Sequence, residues 1–168
     1  IKNGIVIGYD SRFLSREFAE KAAEVIANNG IKVTISDAIS STPMVSLLAR
    51  NLNTAGGVVI TASHNPAKYN GYKLKGDFGG PAHPEMIERL ERELKKVQSS
   101  KFKVQKSFSD LLAKGSIQRK DFTRLYVEDL KKKLDLDLIK SFGLKIVYDA
   151  MYGAGQGVLE QLTPVRVL

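Results

Sequence analysis

Residues 4–35 read GIVIGYDSRFLSREFAEKAAEVIANNGIKVTI, and this stretch decides the fold. Gly4 to Tyr9 is a short, continuous apolar run, the pattern of a strand buried on both faces. Asp10-Ser11-Arg12 interrupts it. Ser15 can cap a helix whose apolar stripe is Phe18, Ala22, Val25 and Ile26, and Asn28-Asn29-Gly30 ends that helix. Ile31 to Ile35 then reads as a second strand. Strand, helix and strand within about thirty residues make a βαβ unit, whose two strands pair in parallel.

The alternation continues outward from that unit. Thr42-Pro43 supplies a helix cap and a first-turn proline, and Met44, Leu47, Leu48 and Leu52 share one face. Gly56 to Ile60 gives a third buried strand, followed by a polar turn over 61–71. Tyr72 to Lys75 reads as a shorter fourth strand. Its connection is too short to hold a crossover helix, so it is expected at an edge and antiparallel. Pro84 opens a helix expected to face Met86, Ile87, Leu90, Leu94 and Val97 inward, and 98–106 read as a Ser- and Lys-rich loop. Phe122, Leu125, Tyr126, Leu130 and Leu134 mark one more helix. After Gly143 the pattern restarts, with Leu144 to Tyr148 as a strand, Ala154 to Leu162 as a helix, and another strand beginning at Val165.

The expected fold is therefore α/β: a three-layer α/β/α sandwich on a mostly parallel sheet of about four strands, one of them an antiparallel edge strand, plus a partial second α/β unit. Residues 1–138 form the first domain on this reading, and 139–168 the truncated beginning of a second. The endings Gly8-Tyr9-Asp10 and Val147-Tyr148-Asp149 hint at duplication.

Composition narrows the function. Nothing approaches the about 20 consecutive apolar residues that span a bilayer, and the first residues read as an apolar strand without the zones of a secretory signal. Cysteine is absent, which excludes disulfides and thiolate chemistry and fits a cytoplasmic setting. The 26 Lys and Arg against 18 Asp and Glu leave a net charge of +8, which favours an anionic partner. Lys131-Lys132-Lys133 ends a helical pattern, where cations suit the helix dipole. The aromatics fall mostly at expected core positions, so no base-stacking platform for nucleic acid is visible.

Thr61-Ala62-Ser63-His64-Asn65-Pro66 lies just past the third strand, where open α/β sheets present ligands in a crevice. Ala62 adds little bulk beside Ser63, and Pro66 keeps Asn65 out of helix. Ser63 is thus held out at the sheet edge, with main-chain N–H groups free to hold phosphate oxygens. A serine beside an Asn-Pro turn is ordinary when it stands alone. Arg12 follows the first strand at the same sheet edge, where it can equally pair with Asp10. Lys73 and Lys75 fit equally well as strand lysines, and a bare His64 is a solvated loop residue. His83 reads as a helix-start residue, and Gly153-Ala154-Gly155-Gln156-Gly157 departs from the dinucleotide fingerprint and reads as a strand-to-helix turn.

Three segments, matching in order and spacing, change these odds. Gly8-Tyr9-Asp10-Ser11-Arg12, Thr61 to Pro66, and Asn70-Gly71-Tyr72-Lys73 resemble the first strand with its arginine loop, the phosphoserine loop and the lysine-bearing element of the α-D-phosphohexomutases. That is the family of phosphoglucomutase, phosphomannomutase and phosphoglucosamine mutase, and the resemblance runs over nearly the whole chain. It implies a phosphoserine at Ser63 that gives its phosphoryl group to a hexose phosphate, forming a 1,6-bisphosphate, and then takes the other phosphate back. It favours Lys73 over Lys75 as general base and acid. It implies that Arg12 orients the phosphoserine, that His64 supports it, and that Asn65 joins Ser63 and Arg12 in binding phosphate or substrate.

The resemblance further implies Mg2+, held by an oxygen of the Ser63 phosphate and by aspartates of a second-domain loop that this sequence does not contain. A glucose 1,6-bisphosphate-type activator is implied with it. The expected partners are a hexose phosphate and domains II–IV of a longer chain, with neither nucleic acid nor membrane among them. This polypeptide alone is expected to lack mutase activity. Glucose and mannose phosphates are the first-choice substrates; the alternatives are a phosphoglucosamine mutase and a non-catalytic phosphosugar-binding α/β domain.

Overall fold

The computed structural model describes residues 3–97 and 105–167. The strands are β1 (Ile5–Tyr9), β2 (Val33–Ser36), β3 (Gly57–Ile60), β4 (Tyr72–Lys75), β5 (Ile117–Lys120), β6 (Val147–Tyr148) and β7 (Arg166–Val167). The helices are α1 (Ser15–Asn28), α2 (Thr42–Asn51), α3 (Pro84–Val97), α4 (Phe108–Ala113), α5 (Phe122–Lys133) and α6 (Leu136–Ser141).

The first five strands form one sheet in the order β4-β3-β1-β2-β5. β1 pairs in parallel with β2 and β3, β2 in parallel with β5, and β4 runs antiparallel on β3. The antiparallel edge strand stands where its short connection puts it. The all-apolar β1 and β3 occupy the middle, because only a central strand is covered on both faces. Val6 and Val59 pack with Met44, Val45, Leu48 and Phe122 on one face, while Ile7, Val58 and Ile60 pack with Ala19, Ala23 and Leu111 on the other. These are the three expected layers. Gly8 lets α2 lie close, since a Cβ there would come 2.3 Å from Val45 Cγ2.

The sheet has five strands rather than about four. α4 and β5 fill a stretch in which no regular element was expected. In IQRK only Ile117 is buried, and a strand with one inward apolar residue shows no alternation to read. Residues 98–104 of the expected loop, and the Val97 side chain, lie outside the described residues.

α1 buries Ser15, Ala19, Ala23 and Ala27, not the stripe of larger residues. Phe18 and Val25 are exposed on its flank, and Ala22 and Ile26 are only partly buried. Small side chains bring the helix close to the sheet, which larger ones would prevent. Nor does Ser15 cap α1: Leu14 stands in the cap position with φ 59° and no side-chain cap, and Ser15 turns inward as the first helical residue. The cap position of α2 is Ser41, one residue before the expected Thr42.

α3 forms where Pro84 starts it, with the His83 carbonyl accepting from the Met86 and Ile87 N–H groups. Its apolar stripe does not face inward: Met86, Leu90 and Leu94 are exposed and Ile87 is half-buried. The helices packed on strands are chiefly α1, α2 and α4, with α5 on α2. Before α3 the chain folds back along the outer side of β4, where Lys75 bridges Pro81 and Ala82 N–H donates to the Leu74 carbonyl at 3.1 Å. The aromatics are not mostly in the core either. Tyr9 and Phe122 are buried, whereas Phe13, Phe18, Tyr69, Tyr72, Phe78, Phe142 and Tyr152 are exposed. The core is built from aliphatic residues and alanine.

β6 and β7 pair in parallel as a separate two-stranded sheet. Between them lies only a short 3-10 turn, Leu159–Gln161, in place of a helix over 154–162. Glycines at 153, 155 and 157 remove the side chains and backbone restriction a helix start needs. α6 straddles the expected domain boundary at 138/139.

Candidate active site

The parallel register of β1 and β3 opposes Gly8 to Val59 and Tyr9 to Ile60. The loops that follow the two strands therefore leave the sheet side by side at its carboxyl edge. A cleft of about 640 Å³ opens there, lined among others by Asp10, Ser11, Arg12, Thr61, Ser63 and Asn65. α2 starts at the same cleft, which Ser41 and Thr42 also line.

Ser63 is exposed and has φ 56°, a left-handed conformation uncommon outside glycine. Its N–H donates to Thr61 Oγ1 at 3.0 Å, and two residues on the Asn65 N–H donates to the Ala62 carbonyl at 3.0 Å. Arg12 holds the loop from the β1 side. Its Nη2 donates to the carbonyls of Ser63 at 2.6 Å and Asn65 at 2.7 Å, and its Nη1 to those of Pro66 at 3.0 Å and Tyr69 at 3.1 Å. Its Nε donates to Asp10 Oδ2 at 3.2 Å. A guanidinium has five N–H donors, so every one is committed.

Asp10 orders this arginine in turn. One carboxylate oxygen takes the Arg12 backbone N–H at 3.1 Å and the Ser15 hydroxyl at 2.8 Å, while the other takes Arg12 Nε. Asn70 reaches across from the far end of the loop, donating from Nδ2 to Ser15 Oγ at 2.8 Å and to the Phe13 carbonyl at 3.4 Å. Its Oδ1 accepts from the Gly71 N–H at 2.9 Å. The roles of Thr61, Ser15 and Asn70 were not read from the sequence.

Of the expected site residues, Ser63, Asn65 and Arg12 meet at the cleft. His64 is exposed in the same loop and is not among the cleft's lining residues. Lys73 sits opposite Val59 on β4, exposed and likewise outside that lining. Alternation puts Lys75 on the same face of the strand. Partial burial, and then the charge of Lys73, hold the Lys75 ammonium below the usual lysine range.

A family model described as phosphoglucomutase/phosphomannomutase, alpha/beta/alpha domain I, matches residues 1–101. The chain belongs to this family. Curated relatives named phosphoglucomutase include one from Staphylococcus saprophyticus, 34% identical over 89% of this chain, and one from Komagataeibacter xylinus, 36% identical over 92%. The chain spans 27% and 30% of their respective lengths. A Thermus thermophilus structure described as a phosphomannomutase superposes on 99% of the chain with a TM-score of 0.83 and 32% identity, and the chain covers 37% of it. The phosphoglucomutase/phosphomannomutase fold thus accounts for the mixed five-stranded sheet and its flanking helices. Among the described residues of this family member, no group of three or more His, Cys, Asp or Glu could hold a metal ion. The described aspartates do not by themselves make a magnesium site. No helix among the described residues is long and apolar enough to cross a membrane.

Proposed function

We propose that this chain is the phosphate-carrying part of a phosphohexose mutase that interconverts hexose 1-phosphate and hexose 6-phosphate. The observation that supports this most directly is the presentation of Ser63: exposed on the rim of a cleft that Asp10, Arg12 and Thr61 also line, with its N–H and its carbonyl both tied down. A nucleophile fixed at both flanking peptide groups keeps its hydroxyl in one place while a sugar turns in front of it.

In the first half-reaction the bond between Ser63 Oγ and phosphorus breaks as phosphorus bonds a free sugar hydroxyl. The hydroxyl's proton ends on the departing Ser63 oxygen; the resemblance makes Lys73, which lies on β4 outside the cleft lining, the candidate to relay it. The second half-reaction reverses these steps on the other phosphate of the 1,6-bisphosphate, leaving Ser63 phosphorylated again. Charge developing on the phosphoryl oxygens needs cations. On this proposal magnesium would supply part of that charge, with ligands mainly from a further domain. Arg12 serves as a positioning residue, since its donors are spent on Asp10 and the loop. Asn65 contacts phosphate or substrate, and His64 supports the loop's polarity.

Glucose and mannose phosphates are together the first substrate class, and glucosamine phosphates the second. We place the start of the next domain after Gly143, past α6, with β6 and β7 as its first strands and domains beyond it completing the cleft. The location is cytoplasmic on this proposal. The test is intact mass and peptide mapping of the full-length protein after incubation with glucose 1,6-bisphosphate. Phosphate on Ser63 supports the proposal, and phosphate elsewhere only, or none, defeats it.

A further inference from the structure

The hydrogen bonds around Ser63 close into a ring. Ser63 N–H donates to Thr61 Oγ1, Thr61 N–H to the Gly71 carbonyl, and Gly71 N–H to Asn70 Oδ1. Asn70 Nδ2 donates to Ser15 Oγ, and Ser15 Oγ donates to Asp10 Oδ1. Arg12 Nε donates to Asp10 Oδ2, and Arg12 Nη2 returns to the Ser63 carbonyl. Every member of this circuit except Ser15 belongs to a loop or strand end at the carboxyl edge of β1 or β3. Ser15 is the first residue of α1, is 1% exposed, and uses its hydroxyl as both acceptor and donor.

We infer that Ser15 is a positioning residue for Ser63, acting through Asp10 and Arg12 on one side and through Asn70, Gly71 and Thr61 on the other. Ser15 carries one oxygen that touches neither cleft nor substrate, yet it joins the Arg12 arm to the Asn70 arm. Removing that oxygen leaves Asp10 and Asn70 each short of a partner and opens both arms at once. Without that hydroxyl Asp10 keeps only the Arg12 backbone N–H and Nε, so its carboxylate holds the Arg12 fork less firmly, and the fork sets the Ser63 peptide. Hydrogen-bonded circuits of this kind act as a unit, so one break is felt at the far side. The catalytic part of this inference rests on the mutase proposal, while its structural part does not.

The test compares Ser15→Ala with wild type in the full-length protein, with Ser36→Ala as a control. Ser36 is equally buried, lies on β2 outside the ring, and its Oγ has no hydrogen-bond partner among the described residues. Amide hydrogen exchange over residues 61–71 is expected to quicken in Ser15→Ala and to stay unchanged in Ser36→Ala. Unchanged exchange at the Ser63 and Asn65 amides in Ser15→Ala overturns the inference. In hexose phosphate turnover, Ser15→Ala is expected to lower kcat by about 10- to 100-fold, the usual scale for an outer orienting partner, with KM within about threefold. A kcat within about twofold of wild type, or a fall no larger than the loss of folded protein, also overturns it. Absence of phosphate on wild-type Ser63 defeats the mutase proposal alone, and the exchange comparison then decides the ring.

Discussion

Arg12 meets Ser63 through the main chain: its Nη2 donates to the Ser63 carbonyl at 2.6 Å, not to the serine side chain. With Nε on Asp10 and the remaining donors on three other carbonyls, the arginine is a clamp on the loop. Lysine brings three donors on a flexible stem and cannot reproduce that planar fork. Arg12→Lys is therefore expected to lower stability by about 1–3 kcal/mol and turnover by at least about tenfold. Thermal melting and kinetics of the full-length protein check this, and wild-type values in both would show that the clamp is dispensable.

The left-handed backbone at Ser63 sets stability against activity. A residue with a Cβ held at φ 56° costs about 1 kcal/mol relative to glycine, less what glycine loses through its freer unfolded chain. Ser63→Gly is expected to match or slightly exceed wild type in melting temperature while taking up no phosphate. Ser63→Ala keeps the strain and also takes up none. A clear loss of stability in Ser63→Gly would show that the hydroxyl, not the backbone, dominates at this position.

Glu20 binds Arg119 at 2.5 Å and Arg16 at 2.9 Å. Burial pulls its carboxyl upward, but the hydrogen bonds from Arg119 and Arg16 outweigh it and hold its pKa below the ordinary 4.5. A depressed carboxylate adds stability above its unfolded pKa and loses it as pH falls through the folded value. Glu20→Gln is expected to be less stable than wild type at neutral pH, by on the order of 0.5–1 kcal/mol after solvent screening. The gap closes below about pH 4.5. Denaturant titrations across that range measure the gap, and a constant difference refutes the linkage.

Lys75 has the opposite sign. Burial, with the neighbouring Lys73 charge, lowers its pKa from 10.5, so folding opposes its proton. Wild type gains stability as pH rises through the folded pKa toward 10.5. Lys75→Met is expected to melt higher than wild type at neutral pH, with the advantage shrinking as pH climbs into that window. An advantage independent of pH would assign the effect to packing instead.

The order of elements from β1 to β4 was legible because apolar runs, a Thr-Pro helix start and an overly short connection each have one structural meaning. β5 was hidden because a strand with a single inward Ile117 carries no period. On α1, hydrophobicity ranks Phe18 and Val25 above Ala19 and Ala23, whereas the sheet selects side chains by how closely the helix can approach. The positions of Ser63 and Arg12 followed from strand ends and motif resemblance. The use of Arg12 did not, since four of its partners are carbonyl oxygens and any residue supplies one of those. Ser15 was legible only as a helix cap, and its inward turn depends on Leu14 adopting a left-handed backbone.

The fold-back beside β4 also governs how the molecule behaves toward its own copies. An open sheet edge is a template on which another chain can add a strand, the route to aggregation. Here the exposed rim is shielded by Pro81, which has no N–H to offer, and bears Lys73 and Lys75, whose like charges repel an identical edge. One flank of the sheet is thus closed to strand addition while the cleft at its carboxyl end stays open.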